Sequence, residues 1–280
     1  MDELGQMPVE KVGLIAGSGR FPVIFAQNAR DIGVRVIAVA HRGETAEEIE
    51  QFAEDVTWIR VGQLGKIIRT FRKAEVRNAV MAGGIRKARM FSNFRPDPRG
   101  LALLARVRSR DDDQLLRGVA AELEREGIRV LESTLFLERI IPAEPGVLTR
   151  TKPSPEQWQD VRTGIPLAKT LGRMGIGQTL VLKEGVILAV EAIEGTDAAI
   201  RRGGGIADGP VVVVKMSKPQ QDLRFDVPAI GPGTIGVLKE VGGGVLAVER
   251  RRSILLDKET LLATADDAGI AVVAVEPEPG

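Results

Sequence analysis

The segment 215–228 concentrates the residues best suited to chemistry. Its sequence, Lys-Met-Ser-Lys-Pro-Gln-Gln-Asp-Leu-Arg-Phe-Asp-Val-Pro, holds two lysines, two glutamines, two aspartates and an arginine. If this stretch is extended, Asp222, Arg224 and Asp226 point to one face, because alternate side chains of a strand share a face. A metal-binding carboxylate beside a cation suits phosphoryl transfer. The structural alternative is an edge strand with exposed salt bridges.

A second polar block, residues 191–197, passes from a predicted strand through a glycine turn into a helix. We expect Thr196 to contact substrate and Asp197 to bind metal. The alternative is that one of them caps the helix, a position that both residue types favour.

Three glycine turns follow predicted strands of the first half, at 17–19, 62–66 and 83–87. The carboxyl ends of parallel strands share one edge, so the turns predict a crevice for a phosphorylated ligand. The dinucleotide fingerprint fails because Pro22 occupies its third glycine position. The alternative is that the turns only join strands to helices. The candidate substrate-binding residues here are Gly17, Ser18, Gly19, Gln63, Gly65, Gly83 and Gly84.

The composition excludes many kinds of site. Among 280 residues there is no cysteine, no tyrosine and one histidine, His41. Thiol catalysis, iron–sulfur clusters and zinc sites with several His or Cys ligands are therefore excluded. Carboxylates, lysine, arginine and a hard cation such as Mg²⁺ remain. A lone histidine at a strand end is expected to be a surface or hydrogen-bonding residue.

The arginine-rich stretch 86–110 is followed by three aspartates, 111–113, which are expected to cap the next helix, with contact to a ligand or metal as the alternative. The stretch is interpreted as a solvated basic face, with an anionic amphiphile or membrane surface as the alternative. The net charge of +1 and the 4% aromatic content argue against nucleic acid as a partner. A nucleic-acid-binding module built on this stretch would instead predict steeply salt-dependent binding.

The spacing of apolar residues predicts elements that would position these side chains. Short apolar runs alternate with amphipathic segments through residues 12–132, which predicts an α/β doubly wound domain with a parallel sheet. The predicted strands are 12–16, 34–40, 57–61, 79–82 and 128–131, and the predicted helices are 22–32, 46–52, 65–73 and 112–126.

The second half predicts a mixed α/β domain. The proline-rich residues 142–157 are interpreted as a linker, so the predicted domains are 1–145 and 146–280. The dipeptide Glu184-Gly185 predicts a hairpin. The other predicted strands are 211–216, 245–248 and 270–275, and the predicted helices are 155–172, 234–241 and 258–268.

At these motifs the chain resembles a known family. The carrying residues are Gly-Leu-Ile-Ala-Gly-Ser-Gly at 13–19, Gly-Ile-Gly-Gln at 175–178, Leu-Ala-Val-Glu-Ala-Ile-Glu-Gly-Thr-Asp at 188–197 and Lys-Pro-Gln-Gln-Asp-Leu-Arg-Phe-Asp-Val-Pro at 218–228. They resemble the LpxI-type UDP-2,3-diacylglucosamine pyrophosphatases of lipid A biosynthesis. The resemblance implies a Rossmann-like first domain joined to a second domain of unusual fold, and a homodimer. It also implies hydrolysis of UDP-2,3-diacylglucosamine to 2,3-diacylglucosamine 1-phosphate and UMP, with a divalent cation, normally Mg²⁺. Gln178, in the second of these motifs, is a candidate substrate contact.

The resemblance also assigns roles to residues. It places the family's essential aspartate at Asp226. We expect Asp226, with Asp197, to bind the metal, and Lys215, Lys218 or Arg224 to offset charge on the phosphoryl oxygens; Gln221 is a further candidate substrate contact. The expected location is the cytoplasm, with peripheral contact to the inner membrane. A different class remains open, a non-catalytic sensor that binds a nucleotide sugar.

Overall fold

The computed structural model describes residues 9–85, 94–107 and 112–277. Residues 86–93 and 108–110 of the arginine-rich stretch, together with Asp111, lie outside these residues, and the predictions made there stay predictions. The chain forms two compact units, Met1–Phe136 with Leu223–Phe225, and Leu137–Asp222 with Asp226–Gly280. The main division thus falls slightly before the predicted one at 145/146.

The first unit contains a five-stranded parallel sheet in the order β3-β2-β1-β4-β5. This confirms the predicted parallel α/β fold. The predicted helix at 46–52 is instead a short 3₁₀ helix, Glu47–Gln51. The strands are β1 (Lys11–Ala16), β2 (Arg35–His41), β3 (Asp55–Ile59), β4 (Asn78–Ala82) and β5 (Arg129–Val130). The helices are α1 (Phe21–Asp31), α2 (Leu64–Lys73), α3 (Pro98–Arg106) and α4 (Asp112–Arg125).

The core of the first unit follows from periodic apolar residues. Helix α2 buries Leu64, Ile67, Ile68 and Phe71, which recur three and four residues apart and therefore share one face. This face packs against the sheet in one hydrophobic cluster. The sheet is thus held rigidly beneath the glycine turns.

The second unit contains a six-stranded mixed sheet in the order β6-β13-β11-β9-β7-β8. Strands β9, β11 and β13 are parallel, whereas β6, β7 and β8 run antiparallel to their neighbours. The six strands are β6 (Gly146–Val147), β7 (Thr179–Lys183), β8 (Val186–Val190), β9 (Val212–Lys215), β11 (Val245–Glu249) and β13 (Ala271–Val275). Strands β10 (Ala229–Ile230) and β12 (Ile254–Leu255) form a separate parallel pair. The helices are α5 (Pro155–Arg173), α6 (Thr196–Gly204), α7 (Pro232–Glu240) and α8 (Lys258–Asp267).

The predicted linker is wrong where it contains regular structure. Strand β6 pairs with β13, and α5 begins at Pro155 with a capping box between Ser154 and Gln157. The apolar residues of the mixed sheet divide between two clusters, one on each face, because successive side chains of a strand alternate in direction. The predicted mixed α/β fold of this half is confirmed.

Candidate active site

A buried row of polar side chains crosses three strands at one edge of the second unit's sheet. Lys215, the last residue of β9, pairs with Thr179, the first residue of β7. Glu191 follows β8 and donates its backbone N–H to the Thr179 carbonyl at 2.9 Å. All three residues are less than 9% exposed. Paired residues of neighbouring strands point to the same face, so the row is a polar end to an otherwise apolar layer.

Thr196, at the start of α6, joins the two ends of this row. Lys215 Nζ donates to Thr196 Oγ1 at 2.6 Å, and that hydroxyl donates to Glu191 Oε1 at 2.8 Å. The N-cap of α6 is Gly195, at φ +85°, with no side-chain cap. The capping role considered for Thr196 and Asp197 is therefore wrong, and the threonine hydroxyl instead orients the lysine.

Burial and the neighbouring carboxylates shift the pKa of Lys215 in opposite directions. Burial lowers the pKa of the Lys215 ammonium group, while the carboxylates of Glu191, Asp226 and Asp197 raise it. Asp226 and Asp197 are exposed, and Asp197 accepts a hydrogen bond from Thr234 Oγ1 at 3.4 Å. A buried cation surrounded by carboxylates is typical of sites that handle charged substrates.

Several buried oxygen atoms of this region have no hydrogen-bond partner among the described residues. They belong to Glu191, Thr179 and Gln178, which precedes β7. Buried polar atoms in folded proteins are nearly always paired with protein, water or ligand. These atoms therefore indicate a place where a further polar group binds.

The segment that carries Asp226 is not the predicted strand. Residues 223–225 form a turn, and Asp226 donates its backbone N–H to the Asp222 carbonyl at 3.1 Å. The expected single face of Asp222, Arg224 and Asp226 is therefore wrong. Asp226 Oδ2 instead accepts a hydrogen bond from Gln221 Nε2 at 2.7 Å. Lys218 donates its backbone N–H to Gln221 Oε1 at 2.8 Å.

Arg224 belongs to the first unit. Its carbonyl accepts a hydrogen bond from Ser133 Oγ at 2.9 Å, and its guanidinium lies 3.4 Å from Glu124. The neighbouring Phe225 packs against the hydrophobic cluster of that unit. These contacts of Arg224 and Phe225 hold residues 223–225 in a turn, because they could not form if the segment were a regular strand.

The first and third glycine turns of the first unit bind each other. Gly17 donates its N–H to the Ala82 carbonyl at 2.8 Å, and Ser18 donates its N–H to the Gly84 carbonyl at 2.7 Å. A Cβ atom at Gly17 would lie 2.5 Å from the Gly84 oxygen. Glycine is thus required at 17 by the packing of the two turns. Gly19 and Gly84 have open space around their Cα atoms, and the substrate contacts expected at these turns stay predictions.

The second glycine turn lies against an internal carboxylate. Asp97 Oδ2 accepts from the Lys66 backbone N–H at 3.2 Å, in the first turn of α2. The same side chain caps α3 through Gly100 N–H at 2.9 Å. Gln63 Oε1 accepts from the Arg60 backbone N–H at 2.9 Å. The amino-terminal amides of a helix can bind phosphate. In α2, one of them, the Lys66 N–H, is instead hydrogen-bonded to Asp97.

His41 is buried at the end of β2 and its Nδ1 lies 2.9 Å from the Ala16 carbonyl. Thr45 Oγ1 donates to the same carbonyl at 2.6 Å. Burial lowers the pKa of the His41 imidazole. A neutral ring that donates to the chain just before Gly17 is a structural residue, which agrees with the hydrogen-bonding role expected for it.

Two parts of the site were not identified in the sequence. Glu191 and Thr179 were not singled out as functional, although each is a polar residue at one end of an apolar strand, as Lys215 is, which is a usable signal. A second cluster, formed by Lys169, Ser217 and Glu249, joins residues far apart in the sequence. No local pattern marks such a cluster.

The described residues also form a pocket away from the polar row, and they do not include a cluster of metal ligands. A pocket of about 310 Å³ lies at the amino ends of the parallel strands, the edge opposite Lys215, where Pro210, Gly244 and Gly269 precede β9, β11 and β13. Among the described residues, no group of three or more His, Cys, Asp or Glu side chains is arranged to hold a metal ion. None of the helices described has the length and apolar character needed to cross a membrane.

Comparison with known proteins identifies the family. Residues 11–140 match the LpxI N-terminal domain and residues 144–273 match the LpxI C-terminal domain. The chain belongs to the LpxI family. A relative from Caulobacter vibrioides, named UDP-2,3-diacylglucosamine pyrophosphatase LpxI, is 34% identical over 286 residues, covering 96% of this chain and 99% of that protein. The predicted family is thus confirmed.

Similarity to solved structures is weak. Rhizobium etli pyruvate carboxylase is 10% identical with a TM-score of 0.29, covering 69% of this LpxI chain and 15% of that protein. Glycinamide-RNase-transformylase T from Mycobacterium tuberculosis is 17% identical with a TM-score of 0.25, covering 65% and 44%.

Proposed function

We propose that this LpxI protein hydrolyses the pyrophosphate of UDP-2,3-diacylglucosamine in lipid A biosynthesis, releasing UMP and 2,3-diacylglucosamine 1-phosphate. The activity named for the Caulobacter relative supports the choice of substrate. The observation that carries the proposal is the buried Lys215, held by Thr196 and faced by three carboxylates at the end of β9. A buried cation beside exposed carboxylates suits cleavage of a phosphoanhydride.

The chemistry assigned to these residues is attack of water on one of the two phosphorus atoms. The bond from that phosphorus to the bridging oxygen breaks, and the other phosphate leaves with the electron pair. Asp226 orients the water and accepts its proton. Lys215, with two N–H donors besides the one bonded to Thr196, stabilises charge on the phosphoryl oxygens. Lys218, three residues after Lys215 in the segment that leads to Asp226, supplies a second cation.

Mg²⁺ is part of the proposal. The donor atoms present are carboxylate oxygens, including the unpartnered Glu191 Oε2, and these are the ligands that hard cations prefer. Mg²⁺ commonly binds through one or two carboxylates together with water and substrate phosphates, which fits the lack of a three-residue cluster among the described residues. Asp226 and Asp197 are the proposed ligands. When bound, the ion would polarise a phosphoryl oxygen.

Other residues near the polar row are proposed to contact the sugar and the acyl chains of the substrate. Gln178 Oε1, buried and unpartnered, suits a hydroxyl or amide donor of the sugar. The loops on either side of the polar row expose Met174, Ile176 and Ile193, the last of them 93% exposed. Such apolar side chains suit acyl chains and a bilayer surface. We therefore include peripheral contact with the inner membrane, from the cytoplasmic side, in the proposal.

The direct test of the activity is incubation with UDP-2,3-diacylglucosamine and Mg²⁺, followed by chromatography of the nucleotide. We expect UMP, and its loss when a chelator removes the metal. Substrate binding without UMP release would favour the sensor alternative and overturn the enzyme assignment. Reaction in ¹⁸O-labelled water identifies the attacked phosphorus from the labelled product.

Replacing Lys215 tests its assigned role. Lys215→Met should lower kcat while the exposed Lys239→Met, at the end of α7, keeps the activity of the unmodified protein. Light scattering tests the homodimer implied by the resemblance, and co-sedimentation with anionic vesicles tests membrane contact. Monomeric protein, or protein that stays in the supernatant, would contradict those two parts of the proposal separately.

A further inference from the structure

A buried ion pair lies beneath the start of the loop that carries Asp226. Lys169 Nζ, from α5, donates to Glu249 Oε2 at 2.6 Å, and the two side chains are 16% and 6% exposed. Ser217, fully buried, donates to the same carboxylate oxygen through its backbone N–H at 2.8 Å and its hydroxyl at 2.7 Å. One carboxylate oxygen therefore accepts three hydrogen bonds.

The lysine completes the cluster. Besides Glu249, Lys169 Nζ donates to the Ser217 carbonyl at 3.0 Å and to its hydroxyl at 3.1 Å. All three N–H donors of the ammonium group thus have partners. Breaking such a buried pair is costly because the remaining charge is uncompensated. The cluster fixes the backbone of Ser217, two residues after Lys215.

From this fixed point, a short series of contacts reaches Asp226. Gln220 Nε2 donates to the Gly172 carbonyl at 2.9 Å, which holds the loop against the end of α5. Gln221 Oε1 accepts from the backbone N–H of Lys218, the residue after Ser217. With its oxygen fixed in this way, the Gln221 amide turns its NH₂ group toward Asp226 Oδ2. The direction of the Asp226 carboxylate therefore depends on where Ser217 is held.

We propose that Glu249 is a positioning residue for the hydrolysis. With Lys169 it fixes Ser217, and through Lys218 and Gln221 it sets the direction of the Asp226 carboxylate. This inference rests on the proposed function, in which Asp226 acts on the attacking water. It gives Gln221 the task of orienting Asp226, in place of the substrate contact expected from the sequence.

The test compares Glu249→Gln with a matched control, Asp160→Asn. Asp160 is also a buried carboxylate of the second unit, and it accepts backbone hydrogen bonds from Glu184 and Gly185 in the hairpin turn at the other end of β7. A misplacement of a catalytic group by about 1 Å lowers the rate by about 100-fold. We expect Glu249→Gln to lower kcat by that factor with KM unchanged, and Asp160→Asn to lower thermal stability with kcat unchanged.

Milder variants keep the test decisive if Glu249→Gln does not fold. Ser217→Ala retains the ion pair and the backbone contacts of residue 217 and removes only the two hydrogen bonds of the hydroxyl, to Glu249 and from Lys169, so a smaller loss of kcat is expected. Gln221→Ala alters an exposed contact and should lower kcat as well. Combined with Gln221→Ala, Ser217→Ala should add little, because both act through the same contacts.

The outcomes separate this inference from the proposed function. Unchanged kcat in Ser217→Ala and Glu249→Gln, with Asp226→Ala inactive, would overturn the positioning role alone. Equal losses of kcat in Glu249→Gln and Asp160→Asn would also overturn it, since they would reflect general destabilisation. Full activity in Asp226→Ala would instead refute the proposed function itself.

Discussion

Replacing Thr196 by valine removes the hydroxyl that joins two buried charged groups. Lys215 Nζ would lose its acceptor at 2.6 Å and Glu191 Oε1 its donor at 2.8 Å, with little change in side-chain volume. A hydrogen bond to a charged group contributes about 1.5–3 kcal/mol to stability. Thr196 is half-buried, so water can replace part of both contacts. We therefore expect the free energy of unfolding to fall by about 2–4 kcal/mol.

The chain's two tryptophans allow this effect to be measured in the correct unit. Trp158 packs in the second unit and Trp58 lies on β3 of the first, so a Trp58→Phe background makes fluorescence in urea report on the second unit. Thr196→Ser keeps the hydroxyl and should stay close to the parent. In a Lys215→Met background, Thr196→Val should lower the free energy of unfolding by less, because one charged partner of the hydroxyl is already absent. A Thr196→Val variant that unfolds at the parent's urea concentration would refute the reasoning.

Three further predictions concern pH and packing. Burial lowers the pKa of Lys215, and catalysis needs its charged form. As the pH rises, kcat/KM should therefore begin to fall below the usual lysine pKa of about 10.4. Lys215→Arg should shift this fall to higher pH. Burial also lowers the pKa of His41, so the unfolded chain binds the proton more tightly. Stability should then decrease as pH falls below about 6.5, and His41→Gln should weaken that dependence in urea melts at pH 7 and 5. Gly17→Ala should lower the urea midpoint because its Cβ would lie 2.5 Å from the Gly84 oxygen, whereas Gly236→Ala, in α7 with open space, should not. The first prediction is contradicted if kcat/KM stays constant up to pH 11. The second is contradicted if His41→Gln and the parent lose equal stability at pH 5, and the third if Gly17→Ala keeps the parent's urea midpoint.

The regular elements could be predicted because apolar spacing determines them. The short apolar runs that form β1, β4 and β9 are buried on both faces, as strands within a covered sheet are. The family motifs likewise identified the loop that carries Asp226. These features depend on residues close together in the sequence.

The conformation of the loop could not be predicted in the same way. Alternation of polar and apolar residues at 222–227 favours a strand, but the burial of Phe225 and the hydrogen bond from Ser133 to Arg224 hold a turn. The hydrogen bond joins residues 91 positions apart, and every residue of the cluster lies still further from Phe225 in the sequence. For the same reason, Asp97 beneath the second glycine turn and Glu249 beneath Ser217 left no local signal.

The central claim is that one aspartate at this site drives pyrophosphate hydrolysis. The most direct measurement is UMP release from UDP-2,3-diacylglucosamine and Mg²⁺ by Asp226→Ala, with the exposed Asp267→Ala as the matched control. Circular dichroism of both variants establishes that they are folded. We predict no UMP release by Asp226→Ala and unchanged release by Asp267→Ala. Continued hydrolysis by a folded Asp226→Ala variant would contradict the claim.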